Sequence, residues 1–281
     1  MRHLTLPSGA EMPVIGLGTY EQVAGGPNRI LGREVLCRAL RLGYRHVDSA
    51  VFYGNHDEIR LALADAGVAR RSVFLTTKVY RDKLAHDDVL RECERVLGEL
   101  GTDYIDLLLV HWPNRAIPME ETFRALGRLV GEGAARDIGV ANFTRANLQR
   151  ALDASQAPIA INQVEFHPYL NQDALYRFCR ERGVRMTAYA PIAQAKVLDE
   201  PVLREIGARH GKSPIQVALR WLVQKGMSAV PKATSEAHLA ANLDLFDFEL
   251  AAEEVRGIEG IATRLRIFDW EDAAEFSTDE P

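Results

Sequence analysis

Four side chains with complementary acid–base chemistry lie at or just beyond the ends of short apolar runs: Asp48, Tyr53, Lys78 and His111. A tyrosine ordinarily titrates near pH 10, far above working pH. A lysine cation beside it, held by an aspartate, would stabilise the phenolate and lower the tyrosine pKa towards that of a useful general acid. A histidine at the same point can hydrogen-bond a carbonyl oxygen. Together these residues predict protonation of an aldehyde or ketone oxygen, with the hydride coming from a cofactor.

Each of the four also has a plain structural interpretation. An aspartate at a strand end often caps a turn, a lysine there is usually solvated, and a histidine in an apolar run is more often a core side chain with its hydrogen bonds satisfied. Taken singly, these interpretations are favoured. We prefer a functional site because all four converge on one rim of the predicted fold, where burial would require them to satisfy one another.

The elements that must position these residues are short and almost continuously apolar, which is typical of parallel strands covered on both faces. They are Ile15–Gly18, His46–Ser49, Val73–Thr77, Ile105–Val110, Ile138–Ala141, Ile161–Val164, Met186–Ala190 and Met227–Val230. Helical patterns alternate with them, for example over Asp87–Leu100, Pro201–His210 and Pro214–Gly226. Ser213 and Gln216 form a predicted capping box, with proline at the first helical position.

This alternation allows either a closed barrel or an open doubly wound sheet. The segment after the first run, GLGTYEQ, lacks the glycine fingerprint of an open dinucleotide-binding sheet, and no linker divides the chain. We therefore predict an α/β fold, a single (β/α)8 TIM barrel over residues 1–281 with additional helices. The stretch His3–Val14 is predicted to form an N-terminal β-hairpin that plugs the barrel floor.

Composition excludes several other classes of protein. The formal charge is −5, and no basic cluster indicates nucleic-acid binding. No apolar run approaches the roughly 18 residues that span a bilayer, and the N-terminus lacks the apolar core of a secretory signal. Cys37, Cys93 and Cys179 are far apart, which argues against a disulfide framework or a cysteine-based metal site. We expect a reduced, cytoplasmic protein without a metal ion.

Motifs along nearly the whole chain resemble those of the aldo-keto reductase family. They are GYRHVDSAVFYGN, LTTKV, DYIDLLLVHWP, IGVANF, INQVEFHPYL, AYAPIAQAKVL and PKATSEAHLAANLDLFDFEL. Short loops after the fourth and seventh strands are most similar to the microbial 2,5-diketo-D-gluconate and methylglyoxal reductase branch. The resemblance implies that Asp48, Tyr53, Lys78 and His111 are the catalytic tetrad, with Tyr53 as general acid.

The resemblance also implies a nicotinamide cofactor and assigns residues to it. Asn142 and Gln163 would hold the carboxamide, and Tyr189 would stack on the ring. The pyrophosphate would lie under the loop that contains Ala190, Pro191, Ile192, Gln194 and Lys196. The adenosine and its 2′-phosphate would contact Lys232, Ala233, Thr234, Ser235, His238 and Asn242, with Ser235 a predicted N-cap.

Departures from the family pattern weaken the predicted phosphate clamp. His238 stands where an arginine is common, and it cannot make a bidentate grip on a phosphate. Ala141 and Ala190 replace common serines, and Ala241 replaces an acidic residue. Lys232 still favours NADPH, with NADH possible as a second cofactor. His56 and Arg60 replace a common glutamate and glycine, and the sequence offers no functional reason for that change.

Aromatic residues at three strand ends, Tyr20, Tyr80 and Trp112, predict an apolar substrate pocket with short walls; Trp270 is a weaker candidate. The resemblance to the microbial branch and the short loops imply small aldehydes, α-dicarbonyls or keto-sugar acids as substrates of such a pocket. The family resemblance further implies a monomer.

Two other function classes remain open. The first is a nicotinamide-binding sensor or regulatory barrel without turnover, because a fold does not fix a function. The second is an aldolase that forms a Schiff base at Lys78, although it would leave Asn142, Gln163 and Tyr189 without a role.

Overall fold

The strands and helices alternate along the chain, and the computed structural model describes them over residues 2–21 and 27–268. The strands are β1 His3–Thr5, β2 Glu11–Pro13, β3 Leu17–Gly18, β4 Tyr20–Glu21, β5 Arg29–Ile30, β6 His46–Asp48, β7 Phe74–Val79, β8 Ile105–Val110, β9 Ala135–Ala141, β10 Ile159–Glu165, β11 Arg185–Tyr189 and β12 Ser228–Ala229. The helices are α1 Arg33–Arg41, α2 His56–Ala66, α3 His86–Leu100, α4 Met119–Gly131, α5 Arg145–Ala154, α6 Asp173–Glu181, α7 Pro201–His210, α8 Pro214–Gln224, α9 Glu236–Leu243 and α10 Ala252–Glu259.

Eight parallel strands form the central sheet, in the order β3, β6, β7, β8, β9, β10, β11 and β12. The sheet closes between its two ends, where Ile15 and Ala229 form a parallel bridge and the Gly18 amide donates to the Pro231 carbonyl at 3.1 Å. A Cβ atom at Gly18 would lie 2.5 Å from the carbonyl oxygen of Val230, so this seam requires glycine. The predicted (β/α)8 barrel is confirmed.

The β1–β2 hairpin covers one end of the barrel interior, as predicted. Leu6 and Met12 are buried in a cluster with the inward-facing residues of the barrel strands. The Ser8 backbone amide donates to Oδ1 of Asp137 in β9 at 3.1 Å, which ties the hairpin turn to the barrel. The opposite end, where the parallel strands terminate, is therefore the end that remains open to a ligand.

The helix predictions hold to within one or two residues. The stripe predicted over Asp87–Leu100 is helix α3, which begins one residue earlier and buries Val89, Cys93 and Val96. The helix that follows Ser213 has the full capping box with Gln216. Helices α7 and α8 both lie between β11 and β12, so one of them is an addition to the strand–helix repeat, in line with the additional helices predicted.

Strand boundaries were less predictable. The last predicted strand, Met227–Val230, is shorter in the structure, because the Met227 amide still bonds to Leu222 at the end of α8. β7 runs on to Val79, so Lys78 lies within the strand rather than after it. Cys37, Cys93 and Cys179 are buried free thiols. Over the described residues, no helix is both long and apolar enough to cross a bilayer.

Candidate active site

A buried ion pair lies at the open end of the barrel. Lys78 donates from Nζ to Oδ1 of Asp48 at 2.5 Å and to the Ser49 carbonyl at 2.8 Å, and both charged residues are almost fully buried. The second carboxylate oxygen of Asp48 accepts from Nε2 of Gln163 at 2.7 Å. Asp48 is thus fixed by partners from β7 and β10, and it neutralises the charge of Lys78.

Tyr53 stands over this pair at the end of a short 3-10 turn, Val51–Tyr53. Its ring stacks on that of Tyr20 with centroids 4.6 Å apart, and Nζ of Lys78 lies 5.5 Å from its ring centroid. Burial raises the pKa of the Tyr53 hydroxyl well above its usual value, and the negative charge of Asp48 adds to the rise. The expectation that Lys78 would lower this pKa is wrong, because burial dominates the shift and the Asp48 charge acts in the same direction. Tyr53 is consequently a protonated donor at neutral pH.

His111 completes the group that the sequence analysis singled out. Its ring is edge-to-face with Tyr53, at a centroid distance of 5.9 Å, and with Tyr80, at 5.6 Å. Burial lowers the pKa of His111 well below its usual value, and the nearby Lys78 cation lowers it further. Its Nδ1 atom is buried with no hydrogen-bond partner among the described residues. The imidazole is therefore neutral and has a single N–H to donate.

Asp48, Tyr53 and His111 line a cavity of about 620 Å³ at the carboxyl ends of the strands. Lys78 is not among the described residues that line it. The three predicted pocket aromatics, Tyr20, Tyr80 and Trp112, also line the cavity. Trp270 falls outside the described residues.

Phe52 is a wall residue that the sequence analysis missed. Its ring stacks on Tyr80 at 4.9 Å and is 54% exposed, which is unusual for a large apolar side chain. Its position next to Tyr53 in the VFYGN motif was the available signal.

Eight of the residues predicted to bind the cofactor line the same cavity: Asn142, Gln163, Tyr189, Ala190, Pro191, Ile192, Gln194 and Lys232. Two hydrogen bonds through Asn142 connect Tyr189 in this wall to His111. The Tyr189 hydroxyl donates to Oδ1 of Asn142 at 2.9 Å, and Nδ2 of Asn142 donates to the His111 carbonyl at 3.0 Å. The Asn142 amide is thereby held at the edge of the cavity next to the Tyr189 ring.

Left-handed backbone is concentrated in this wall. Asn142 has φ of 62° and Ala190 has φ of 46°, and Ala193, Gln194 and Ala195 follow in the same region of φ. Alanine seldom adopts this conformation, because its Cβ crowds the following carbonyl. Strained non-glycine residues cluster at ligand clamps, where neighbouring structure enforces them.

The remaining predicted cofactor residues, Lys196, Ala233, Thr234, Ser235, His238 and Asn242, do not line this cavity as described. Ser235 is the N-cap of α9, as predicted, and its hydroxyl accepts from the His238 amide at 3.2 Å. Asn242 is buried near the C-terminal end of α9. Asn242 therefore has a packing role in addition to any role in binding.

The sequence analysis did not predict the contacts that two carboxylates, Glu21 and Glu165, make at the site. Glu21, in β4, lines the cavity and is ion-paired with Lys232. Glu165 is fully buried and accepts hydrogen bonds from the Ile267 amide at 2.6 Å and the Phe268 amide at 3.0 Å. Phe268 in turn lies edge-to-face on Tyr189 at 5.3 Å, in the cavity wall. Contacts between residues so distant in sequence leave no local pattern.

His56 and Arg60, for which the sequence offered no role, both belong to the contact between helices α2 and α3. The His56 ring bonds to Oε2 of Glu99 at 2.9 Å and to Oγ1 of Thr77 at 2.8 Å. Arg60 donates to the Glu99 carbonyl at 3.0 Å. Both residues therefore join α2 to the end of α3, outside the barrel wall that carries Lys78.

Comparison with known proteins agrees with this geometry. The model of the aldo/keto reductase family matches residues 14–263. The chain belongs to the aldo/keto reductase family. Aldo/keto reductases are oxidoreductases that generally use nicotinamide cofactors.

The chain is similar to two curated proteins and one solved structure. It is 39% identical to the oxidoreductase YtbE of Bacillus subtilis (strain 168) over 267 residues, or 94% of each chain. It is 37% identical to the glyoxal reductase of the same strain, over 91% of each chain. A solved structure provisionally named a 2,5-diketo-D-gluconic acid reductase B is 41% identical, with a TM-score of 0.84, covering 92% of this chain and 91% of that one.

Proposed function

We propose that this aldo/keto reductase is an NADPH-dependent carbonyl reductase with Tyr53 as general acid. The observation that carries the proposal is one cavity whose lining includes Tyr53 and His111 together with Asn142, Tyr189 and Lys232. An acid–base group and the side chains that we propose to bind the nucleotide thus face the same space. The whole chain, residues 1–281, would serve this one activity.

The residues present fit a reduced nicotinamide dinucleotide. Asn142 offers an amide for the carboxamide, Tyr189 a ring for stacking, and Lys232 a cation for a phosphate. Ala190, Gln194 and Ala195, which all have positive φ, also line the cavity. When bound, the nicotinamide supplies the hydride that a carbonyl reduction requires.

Tyr53 would protonate the carbonyl oxygen of the substrate, and His111 would hydrogen-bond it. The raised pKa of Tyr53 keeps its proton in place until negative charge develops on the substrate oxygen. His111, neutral because burial lowers its pKa, can donate its single N–H to the same oxygen and orient it. Lys78 and Asp48 would hold the site's shape and place a cation beside the Tyr53 ring.

The aromatic wall supports a proposal for the substrate class. Tyr20, Phe52, Tyr80 and Trp112 surround the cavity near Tyr53 and suit a small, planar carbonyl compound. We propose small aldehydes, α-dicarbonyls or keto-sugar acids, a choice supported by similarity to the glyoxal reductase and to the 2,5-diketo-D-gluconic acid reductase B. We further propose that the protein acts as a cytoplasmic monomer with its buried cysteines reduced.

The two alternatives are less well supported. An aldolase would need Lys78 exposed to substrate, yet its Nζ is buried and donates to Asp48 and Ser49. A sensor without turnover has no use for Tyr53 and His111 in the cavity beside a buried Lys78–Asp48 pair.

The deciding experiment has two steps. Protein fluorescence is followed while NADPH, and separately NADH, is titrated; methylglyoxal is then added and the absorbance of the reduced nicotinamide is recorded. Binding followed by substrate-dependent loss of absorbance supports the reductase. Tight binding without turnover across a panel of carbonyl compounds would favour the sensor, and no binding of either nucleotide would refute the proposal.

A further inference from the structure

An ion pair lies next to the seam that closes the barrel. The Lys232 ammonium, just beyond β12, donates to Oε2 of Glu21 in β4. Both side chains line the cavity, and both are largely buried, with Lys232 16% and Glu21 29% exposed. The cation proposed to bind the cofactor phosphate is therefore already held by a carboxylate of the same chain.

Glu21 has a second cation within reach. Arg29, opposite it in the β4–β5 pair, places Nη1 3.8 Å from the same Oε2 atom. The Arg29 side chain is 68% exposed, so it lies at the rim rather than in the cavity. A small rotation of Glu21 towards Arg29 would release Lys232 without leaving the carboxylate unpaired.

Charge decides which ligand gains from that release. A phosphate monoester carries about −1.5 to −2 charges at neutral pH, more than each diester phosphate of a dinucleotide. An anionic group approaching Lys232 meets the Glu21 carboxylate at the same point, and like charges in a partly buried cleft repel. The more highly charged monoester suffers most from this repulsion.

We propose that Glu21 is a specificity-determining residue that competes with the 2′-phosphate of NADPH for Lys232 and so narrows the preference for NADPH over NADH. The inference rests on the proposed function, because it takes the 2′-phosphate to be a ligand of Lys232. It predicts that the affinities for NADPH and NADH differ less than they would if Lys232 were not paired with Glu21.

The test is Glu21→Gln, which removes the charge and keeps the shape of the side chain. Dissociation constants for NADPH and NADH are measured by fluorescence quenching at fixed pH and ionic strength. We expect NADPH to bind at least about fivefold tighter, or about 1 kcal/mol, while NADH changes less than about twofold. Glu132→Gln is the matched control, because Glu132 pairs with Arg128 on the surface and the change in net charge is the same.

A double-mutant cycle shows whether the effect acts through Lys232. In a Lys232→Met background, Glu21→Gln should raise the affinity for NADPH by clearly less than in the wild type, because only the direct repulsion between Glu21 and the phosphate remains. The fragments 2′-phospho-AMP and 5′-AMP, titrated as competitors, should repeat the difference between the two cofactors.

Several results would overturn the inference. They are an unchanged or weaker affinity for NADPH in Glu21→Gln, an equal gain for NADPH and NADH, or a full-sized effect that persists with Lys232→Met. A loss of affinity for both nucleotides would mean that Glu21 retains the cofactor instead of competing with it. If wild type binds neither nucleotide, the proposed function fails as well; binding with an unchanged preference refutes this inference alone.

Discussion

Oδ1 of Asp48 lies 2.5 Å from Nζ of Lys78, and both side chains are shielded from solvent. Burial lowers the pKa of Lys78, and Asp48 counteracts that shift by stabilising the ammonium. The pair therefore keeps a cation in a place where a lone lysine would lose its proton. The carboxylate of Asp48 also adds to the rise in the pKa of Tyr53, which is mainly caused by burial.

Breaking this pair should destabilise the fold. Asp48→Asn leaves Lys78 buried without a counter-charge, and we expect the free energy of unfolding to fall by about 3 kcal/mol or more, as for other buried pairs that lose one partner. Urea denaturation measures the change. Glu132→Gln, which breaks an exposed pair with Arg128, should cost less than about 1 kcal/mol. An equal, small loss in both variants would contradict the argument.

Removing the Tyr53 hydroxyl should separate turnover from binding. We expect Tyr53→Phe to lower kcat by about 10²- to 10⁴-fold, the usual contribution of a general acid, while NADPH binding stays within about twofold. Steady-state kinetics and fluorescence titration measure the two effects. Tyr20→Phe is the control, because its ring stacks on Tyr53 and it loses the same hydroxyl. Near-normal kcat in Tyr53→Phe would show that another group protonates the substrate.

Stability should decrease with acidification below neutrality. Burial lowers the pKa values of His46, His56 and His111 below the ordinary value of 6.5. Between each folded-state pKa and 6.5 the unfolded chain binds more protons than the folded one, so the free energy of unfolding falls as pH falls through that window. Each histidine contributes up to about 1.4 kcal/mol per pH unit.

Urea denaturation at several pH values between neutrality and pH 5 tests this dependence. His56→Gln should flatten the slope by the contribution of one proton, whereas His3→Gln, at an exposed position, should leave it unchanged. A slope that is identical in wild type and His56→Gln would show that His56 is not a source of the pH dependence.

The Glu165 carboxylate should fix the backbone of Ile267 and Phe268 next to the cavity. Glu165→Gln leaves one acceptor oxygen where two accept the Ile267 and Phe268 amides, and an unmet buried amide costs about 1–3 kcal/mol. We expect faster amide hydrogen exchange at these two residues and a several-fold higher KM for methylglyoxal. Glu181→Gln, at an exposed carboxylate, is the control. Unaltered exchange at Phe268 would exclude this role.

The sequence was most informative where chemistry is local in the chain. Lys78, His111 and Asn142 each lie at or near the end of a parallel strand, and a barrel brings such positions together whatever the details of packing. The capping box at Ser213 and the N-cap at Ser235 were predictable because both depend on residues one turn apart.

Features set by distant packing were not predictable. The pairing of Glu21 with Lys232 and the hold of Glu165 on Phe268 join residues on opposite sides of long stretches of chain. The pKa of Tyr53 was misjudged for a related reason: the sequence indicates which charges are near, but burial, which dominates here, emerges only from the folded structure.

The seam at Gly18 also has a kinetic consequence. Glu21 and Lys232 are 211 positions apart, so the wall they share cannot form until the chain as far as Lys232 has left the ribosome and the two strands at the seam have met. Contacts of such high sequence separation form late and slowly, since the entropy of closing the loop is spent before any contact compensates it. A ligand that contacts both sides of the seam binds only the closed barrel and therefore stabilises it. Bound ligand should slow opening of the seam and reduce proteolysis of the newly made enzyme.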